Sequence, residues 1–525
     1  MRRITFLGLF LLWLALPYPA RAIVDPRQSP NNRFGIHILE AEDLIPAARL
    51  VNSNGGQWGY VTLVIRQNDL NQGKWQQIFD ELRRLKLIPL LRLATAPENS
   101  HWLKPTSEDV DRMVEFLNSL NWVVQNRYVI LFNEPNHAKE WGNEIKPDEY
   151  AAIVREFSLK LKAASEDFFI LPAGFDTAAP KSLDTMEATE YWRQMYLSDR
   201  EVFSYFDGWN SHSYPNPDFS GPVTGSGFGS LRSYQEEVSY LNRFGLPGNL
   251  PLFITETGWR NQGRDLSQNY QIAYTQVWTQ PNLVAVTPFV LNYPQAPFSQ
   301  FSWKNLDGSF LAHYQAVAAL EKTSGQPQQI NASRLIDQNL PDEVVAASDY
   351  RFFVELLNTG QSIWERQDFS LGVETNLAAD SLLVSHIGTT EPGQPVKVDI
   401  NLKTGSSLDP ISLKIQLTNK GQPFGQALEI TIQVIPPPTI VISARRLIKV
   451  PDSDDNYRLL IYDADNRLLS EIIVSLSSGR SGKVSLYNLV PNQAYRLVLL
   501  EPYYLRRQTW IVLRKGANLA KFKPL

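Results

Sequence analysis

Two short segments place acidic residues where they could do chemistry: Phe132-Asn133-Glu134-Pro135-Asn136 and Ile254-Thr255-Glu256-Thr257-Gly258-Trp259. Each sets a glutamate directly after an apolar run, where a buried strand would end and its last side chains would face open space. Two carboxyls facing one gap can divide the cleavage of a glycosidic bond. One, protonated, gives its proton to the leaving oxygen; the other, ionised, stabilises or attacks the anomeric carbon. A separation of about 5–5.5 Å gives retention through a covalent intermediate, and roughly 6.5–9.5 Å gives inversion by water. Position along the chain does not choose between them. A charged Glu256 would favour the protonated form of Glu134, and that bias would vanish once Glu256 was esterified.

The elements that must position these residues can be read from the pattern. From Arg33 to about Glu321 short apolar strands alternate with amphipathic helices. The strands begin with Phe34–Leu39, Tyr60–Ile65, Ile88–Leu93 and Tyr128–Phe132, and continue with Phe168–Ala173, Phe206–Ser211, Leu252–Thr255 and Ala285–Leu291. Trp75, Ile78, Phe79 and Leu82 form one helical stripe; Val110, Met113, Val114 and Leu117 form a second, behind a capping box at Thr106 and Asp109. A third, Tyr150, Ile153, Val154 and Phe157, has Pro147 near its first turn. Continuous apolar strands suit parallel strands buried on both faces. Eight such units predict a (β/α)8 TIM barrel over residues 23–321. A doubly wound sheet would carry a Gly-rich loop after its first strand, and Phe34-Gly35-Ile36-His37 is followed by none. Barrel sites lie at the C-terminal strand ends, so Glu134 after strand four and Glu256 after strand seven are expected on one rim.

Other residues on that rim have a chemical and a bland reading. Arg92 is a charge within the apolar run Leu90–Leu93 and needs a carboxylate partner; the two glutamates are candidates, and Arg66 on strand two is the competing cation. His212 and Tyr214, at the end of strand six, could hold Glu256 ionised or could simply satisfy backbone groups. His37, ending strand one, could touch sugar or close the strand. Trp259, Tyr293 and Trp303 follow strands seven and eight, where an aromatic face could floor a sugar or pack in the core. His101, Trp102, His137 and Trp141 lie in loops that could line outer subsites.

The two glutamate segments resemble the strand-four and strand-seven motifs of the clan A retaining glycoside hydrolases, closest to family 39-like and family 5-like members. The resemblance covers residues 33 to 321. It implies that Asn133 binds the sugar 2-hydroxyl, that Glu134 is the acid/base and that Glu256 is the nucleophile. It also implies a β-linked glycan substrate and an aromatic floor after strand eight, for which Trp303 is the candidate. The clan often supplies its helper arginine from strand two, but the spacing around Arg66 departs from that pattern, so Arg92 is expected in the role. The alternative is a non-catalytic or surface-attached glycan-binding protein with an inherited barrel.

Composition bounds the rest. At 525 residues with a net charge of -4, the chain is long enough for several domains and has no charge excess that would suit nucleic acid. It contains no cysteine, which excludes disulfides and thiolate chemistry, and its six histidines show no metal-ligand spacing. No cofactor or catalytic metal is expected; a carboxylate-bound calcium stays open. Arg2, Arg3, the apolar run Phe6–Leu16 and Ala20-Arg21-Ala22 read as a signal peptide over residues 1–22 of a secreted protein, with an uncleaved anchor as the alternative. After the barrel, residues 322–343 read as a linker, 344–435 as a β-sandwich and, beyond Pro436-Pro437-Pro438, 439–525 as a second β-sandwich module. Asn358-Thr359-Gly360, Trp364, Pro392-Gly393 and Gly421–Gly425 resemble the Ig-like domain of NBR1-type proteins, although of that family's four tryptophans only Trp364 is present. Either module could contact glycan or a cell surface, or act as a spacer.

Overall fold

The computed structural model describes residues 23–378, 381–445, 456–501 and 505–524; the leader read at 1–22 lies outside them. The chain divides into two compact units, residues 1–330 and 331–525. Among the described residues no helix is long and apolar enough to cross a membrane.

Eight parallel strands make the first unit: β1 (Gly35–His37), β2 (Gly59–Arg66), β3 (Leu87–Ala94), β4 (Arg127–Leu131), β5 (Phe168–Pro172), β6 (Trp209–His212), β7 (Leu252–Glu256) and β8 (Leu283–Val286). They pair in chain order as a five-strand and a three-strand run. Bridges at Asp176–His212 and Phe34–Val286 join the two runs and close the ring. Leu90, Leu91, Val129, Ile130, Ile170 and Leu171 are fully buried, as strands covered on both faces require.

The helices form where the 3.6-residue period placed them. The helix Gln72–Arg84 buries Trp75, Ile78, Phe79 and Leu82. Ser107–Ser119 opens with the Thr106–Asp109 capping box, each side chain bonding the other residue's backbone. Pro147 takes the first position of Pro147–Ala164, where its missing N–H costs nothing.

The stretch expected as a linker is divided between the two units. Lys322 Nζ donates to the carbonyls of Val317 and Leu320, Gln326 N donates to Pro30 O, and Gln125 N donates to Gln328 O. These residues belong to the barrel, and Ser333–Gln338 is already a strand of the second unit. The polar composition that suggested a tether does not register these bonds, because every acceptor among them is a main-chain carbonyl, a group that every residue carries.

In the second unit, one sheet contains Ser333–Gln338, Asp349–Asn358, Pro395–Lys403 and Leu382–Val384; the other contains Glu343–Val345, Gln422–Ile435, Ile411–Asn419 and Phe369–Thr375. Their inner faces share one apolar core that includes Val354, Ile400, Leu371, Ile415 and Trp364, the arrangement of a β-sandwich. The strands from Thr439 to Lys521 enclose a separate core around Ile440, Leu459, Ile461 and Leu497. Tyr350 Oη donates to Leu489 O at 3.1 Å, tying the two cores within this unit.

One buried acid braces the barrel wall. Glu237, on the helix Ser233–Leu241, is fully buried and accepts from Trp209 Nε1 at 2.7 Å and Ser211 Oγ at 2.6 Å. Burial drives its carboxyl up to about 7, against the lowering effect of these bonds. A folded-state pKa above the unfolded one means that the stability gained by the protonated form is complete below the ordinary glutamate pKa of roughly 4.3 and is lost as pH rises through about 7. Glu237→Gln should therefore match the wild type in thermal unfolding at low pH and exceed it at pH ~8, by up to about 3 kcal/mol. Equal melting temperatures across that range would show that Glu237 is not held protonated.

Candidate active site

The strand ends deliver the two carboxyls differently. Glu256 is the last residue of β7. Glu134 sits on a sharp turn beyond β4, in which Phe132 has φ +74° and Glu134 φ +30°. Such left-handed backbone is costly for residues with a Cβ and persists only when neighbours enforce it. Here Glu134 N donates to Gly174 O at 3.1 Å and His137 N donates to Glu134 O at 2.9 Å. The turn carries the Glu134 side chain into the barrel mouth, where it is 18% exposed against 11% for Glu256. Carboxylate oxygens of Glu134 and Glu256 and a ring nitrogen of His212 lie within 4.8 Å of one another.

Arg92 links the residues around them. Its Nη1 donates to Glu256 Oε1 and, at 2.8 Å, to Asn133 Oδ1. Tyr214 Oη donates to Glu256 Oε2 at 3.1 Å. His212 Nδ1 lies 3.0 Å from Glu134 Oε1 and 3.8 Å from Glu256 Oε2. Buried His37 places Nδ1 3.7 Å from Glu256 Oε1. Arg66 lies instead over the Trp102 ring, 5.8 Å from its centroid.

The charges follow from this geometry. Burial alone would raise the Glu256 carboxyl, but the positive charges of His212 and Arg92 outweigh it and hold it at about 2. His37 is driven down to about 3, first by burial and then by Arg92; it is neutral near pH 7 and adds no charge. Burial opposes a proton on His212, yet Glu256 and then Glu134 raise its pKa. The Tyr214 hydroxyl is pushed up by burial and by Glu256, so it remains a donor. The spacing of Glu134, His212 and Glu256 is small enough for a metal ion, but a cation there would meet the guanidinium already seated on Glu256.

Seven residues picked from sequence thus meet: Asn133, Glu134, Glu256, Arg92, His212, Tyr214 and His37. Two do not join them. The Trp303 side chain is in the core, 1% exposed, with its ring 4.6 Å from Tyr270 and 4.8 Å from His313. Trp259 is also buried, packs on Tyr270 and donates from Nε1 to Gly221 O at 3.0 Å. The reason is the path of the chain after β8. Trp303 N donates back to Val290 O at 3.1 Å, so the loop returns to the barrel wall and its indole faces helices. Trp303→Ala should therefore cost about 3–5 kcal/mol of stability and leave the affinity for any ligand of the strand-end opening within twofold. A several-fold loss of that affinity without loss of melting temperature would place the ring in the opening.

Several residues at the site lacked a local signal. Phe289, just past β8, meets the His37 ring edge-on at 5.1 Å. Asp176 pairs at 2.9 Å with His137, which its loop position had singled out. Glu140 Oε2 accepts from Asn133 Nδ2 at 3.2 Å. A Cβ on Gly174 would lie 2.0 Å from His212 Cδ2, so glycine is needed for the ring to reach Glu134. Only the position of Gly174 after an apolar strand could have pointed to it.

No family model matches the chain, and no curated protein matches it. Among solved structures it is similar to an endo-β-1,4-glucanase from Xanthomonas axonopodis pv. citri carrying a triple mutation, at 14% identity over 55% of this chain and 98% of that one, with a TM-score of 0.38. A broad-specificity endoglucanase from Ruminococcus champanellensis with bound cellotriose aligns at 13% identity over 53% and 84%, with a TM-score of 0.33. A γ-CGTase from alkalophilic Bacillus clarkii aligns at 9% identity over 95% and 99%, with a TM-score of 0.24. The barrel assignment rests on the chain's own strand order and closure.

Proposed function

We propose that this chain is an exported retaining glycoside hydrolase that cleaves β-linked polysaccharide or oligosaccharide. The observation that carries the proposal is the pair of carboxylates from β4 and β7, with oxygens within 4.8 Å across one opening, one of them held ionised by Arg92 and His212. An oxygen-to-oxygen approach this close is nearer the roughly 5–5.5 Å spacing of a retaining pair than the roughly 6.5–9.5 Å of an inverting one, and it supports the retaining reading.

Glu134 gives its proton to the glycosidic oxygen as the C1–O bond breaks, and a Glu256 oxygen bonds to C1 as an ester. Water then gives a proton to the Glu134 carboxylate and its oxygen bonds to C1, releasing Glu256. Arg92 and Tyr214 each hold one Glu256 oxygen, so the carboxylate is aimed before substrate arrives. His212 bridges the two acids and can follow their change of charge. The leader pattern at residues 1–22 supports export, and the β modules after residue 330 serve as spacer or glycan contact.

The test is a hydrolysis panel of β-linked glycans with Glu134→Gln and Glu256→Gln as controls. Proton NMR of the first product should show the anomer that keeps the substrate's configuration. Initial release of the opposite anomer would rule out the glycosyl-enzyme ester.

A further inference from the structure

We propose that Phe219 is a positioning residue for the nucleophile: packed between Arg260 and Phe301, its ring holds Tyr214 where the phenol keeps its hydrogen bond to Glu256. The proposal rests on the hydrolase reading above and adds a group that acts on Glu256 through Tyr214.

The bond in question needs holding. Tyr214 Oη donates to Glu256 Oε2 at 3.1 Å, already long for a hydroxyl donor. A phenol hydroxyl sits at the tip of a long, rigid ring, so a small rotation about the side-chain torsions carries it out of range. Close packing around the ring is what resists that rotation. Tyr214 packs edge-on against Phe219, at 5.0 Å between centroids and 83° between planes, and against Phe301, at 6.1 Å and 63°. Phe219 and Phe301 meet each other at 5.1 Å, almost perpendicular, so the three rings form one edge-to-face set.

Phe219 reaches that set through backbone that residues with a Cβ rarely adopt. Asp218 and Phe219 both lie in the left-handed region, at φ +55° and +52°, a costly conformation that persists only when neighbours enforce it. The enforcing contacts come from the segment just past Glu256. Arg260 Nη1 donates to the Asp218 carboxylate at 2.6 Å, and Arg260 N donates to Phe219 O at 3.1 Å. The Arg260 guanidinium carbon lies 5.7 Å from the Phe219 ring centroid. One residue earlier, Trp259 Nε1 donates to Gly221 O in the same loop. A closed circuit results. The chain runs from Glu256 to Arg260, Arg260 grips Phe219, Phe219 packs on Tyr214, and Tyr214 returns to Glu256. The Asp218 side chain is 62% exposed, so its ion pair is screened and sets direction more than energy. The Phe219 ring is the part that bears on Tyr214, and with no polar atom it has no chemistry of its own in bond cleavage.

The test is a double-mutant cycle on the best wild-type substrate of the β-glycan panel, with Phe219→Ala, Tyr214→Phe and both together. Phe219→Ala should lower kcat by about 10-fold through misalignment of the nucleophile and leave KM within about twofold. Tyr214→Phe should lose at least as much. The double variant should be no slower than Tyr214→Phe alone, because without the hydroxyl Phe219 has nothing left to aim. Phe219→Leu, which fills more of the space beside Tyr214, should recover part of the rate, and it carries the same cycle if Phe219→Ala does not fold. Losses that multiply in the double variant overturn the proposal and leave the hydrolase reading standing. So does a Phe219→Ala effect confined to KM, or a Phe219→Ala kcat within about twofold of wild type. Failure of the wild type to cleave any glycan of the panel overturns both.

Discussion

Glu256→Gln is expected to abolish turnover, lowering kcat by about 10^4-fold or more. The amide is nearly isosteric with the carboxylate but cannot form the ester to C1, and it carries no charge to stabilise the cationic sugar. The fold should persist, because the amide oxygen can still accept from Arg92 and the NH2 that replaces the second oxygen can donate to the Tyr214 hydroxyl, which accepts as well as donates. Glu134→Gln should behave differently. It removes the proton donor, so its penalty should shrink on aryl glycosides whose leaving group needs no protonation, while Glu256→Gln should be equally dead on both. Measuring both variants on a natural glycan and an activated aryl glycoside separates the roles. If Glu256→Gln kept even a tenth of wild-type turnover, Glu256 would not be the attacking group.

Arg92→Met should be the most damaging substitution among the supporting residues. It removes the guanidinium that touches both Glu256 and Asn133 and leaves Glu256 buried without its nearest cation. A loss of about 10^2–10^3-fold in kcat/KM is expected, comparable to deleting one preorganised donor, with about 3–5 kcal/mol of stability lost by orphaning a buried charge. The sign of the pH effect follows from the Glu256 carboxyl, held down at about 2. Its contribution to stability is present above the ordinary glutamate pKa and is lost as pH falls from there through about 2. Without Arg92 the carboxyl should rise towards or above the ordinary range, and the acid limb of kcat/KM should move up with it. Arg92→Lys should restore charge but on a shorter side chain, which does not carry a donor to the place where Nη1 meets both acceptors, giving an intermediate rate. An acid limb that stayed in place in Arg92→Met would show that His212 alone holds Glu256 ionised.

Some of this was legible in sequence for definite reasons. Apolar runs of strand length alternating with 3.6-period stripes have few ways to bury both kinds of surface, and eight of them in order close as a barrel. Glu134 and Glu256 stood out because each directly follows such a run, and barrel topology sends every strand end to the same rim. Arg92 stood out because an uncompensated charge in an apolar strand is too costly to lack a partner. These inferences depend on period, burial and chain order, which residue types express locally.

What the tertiary structure alone decided is which side chains turn inward. Nothing near Trp303 shows that its loop bonds back to Val290 and sends the indole to the core, while the smaller Phe289 meets His37. Glu140 and Gly174 matter through contacts with Asn133 and His212, and Arg92 rather than Arg66 reaches Glu256. The physical reason is one of range. Secondary structure follows from interactions a few residues apart, whereas the aim of a side chain on a loop or strand end is set by backbone turns and by partners dozens of residues away.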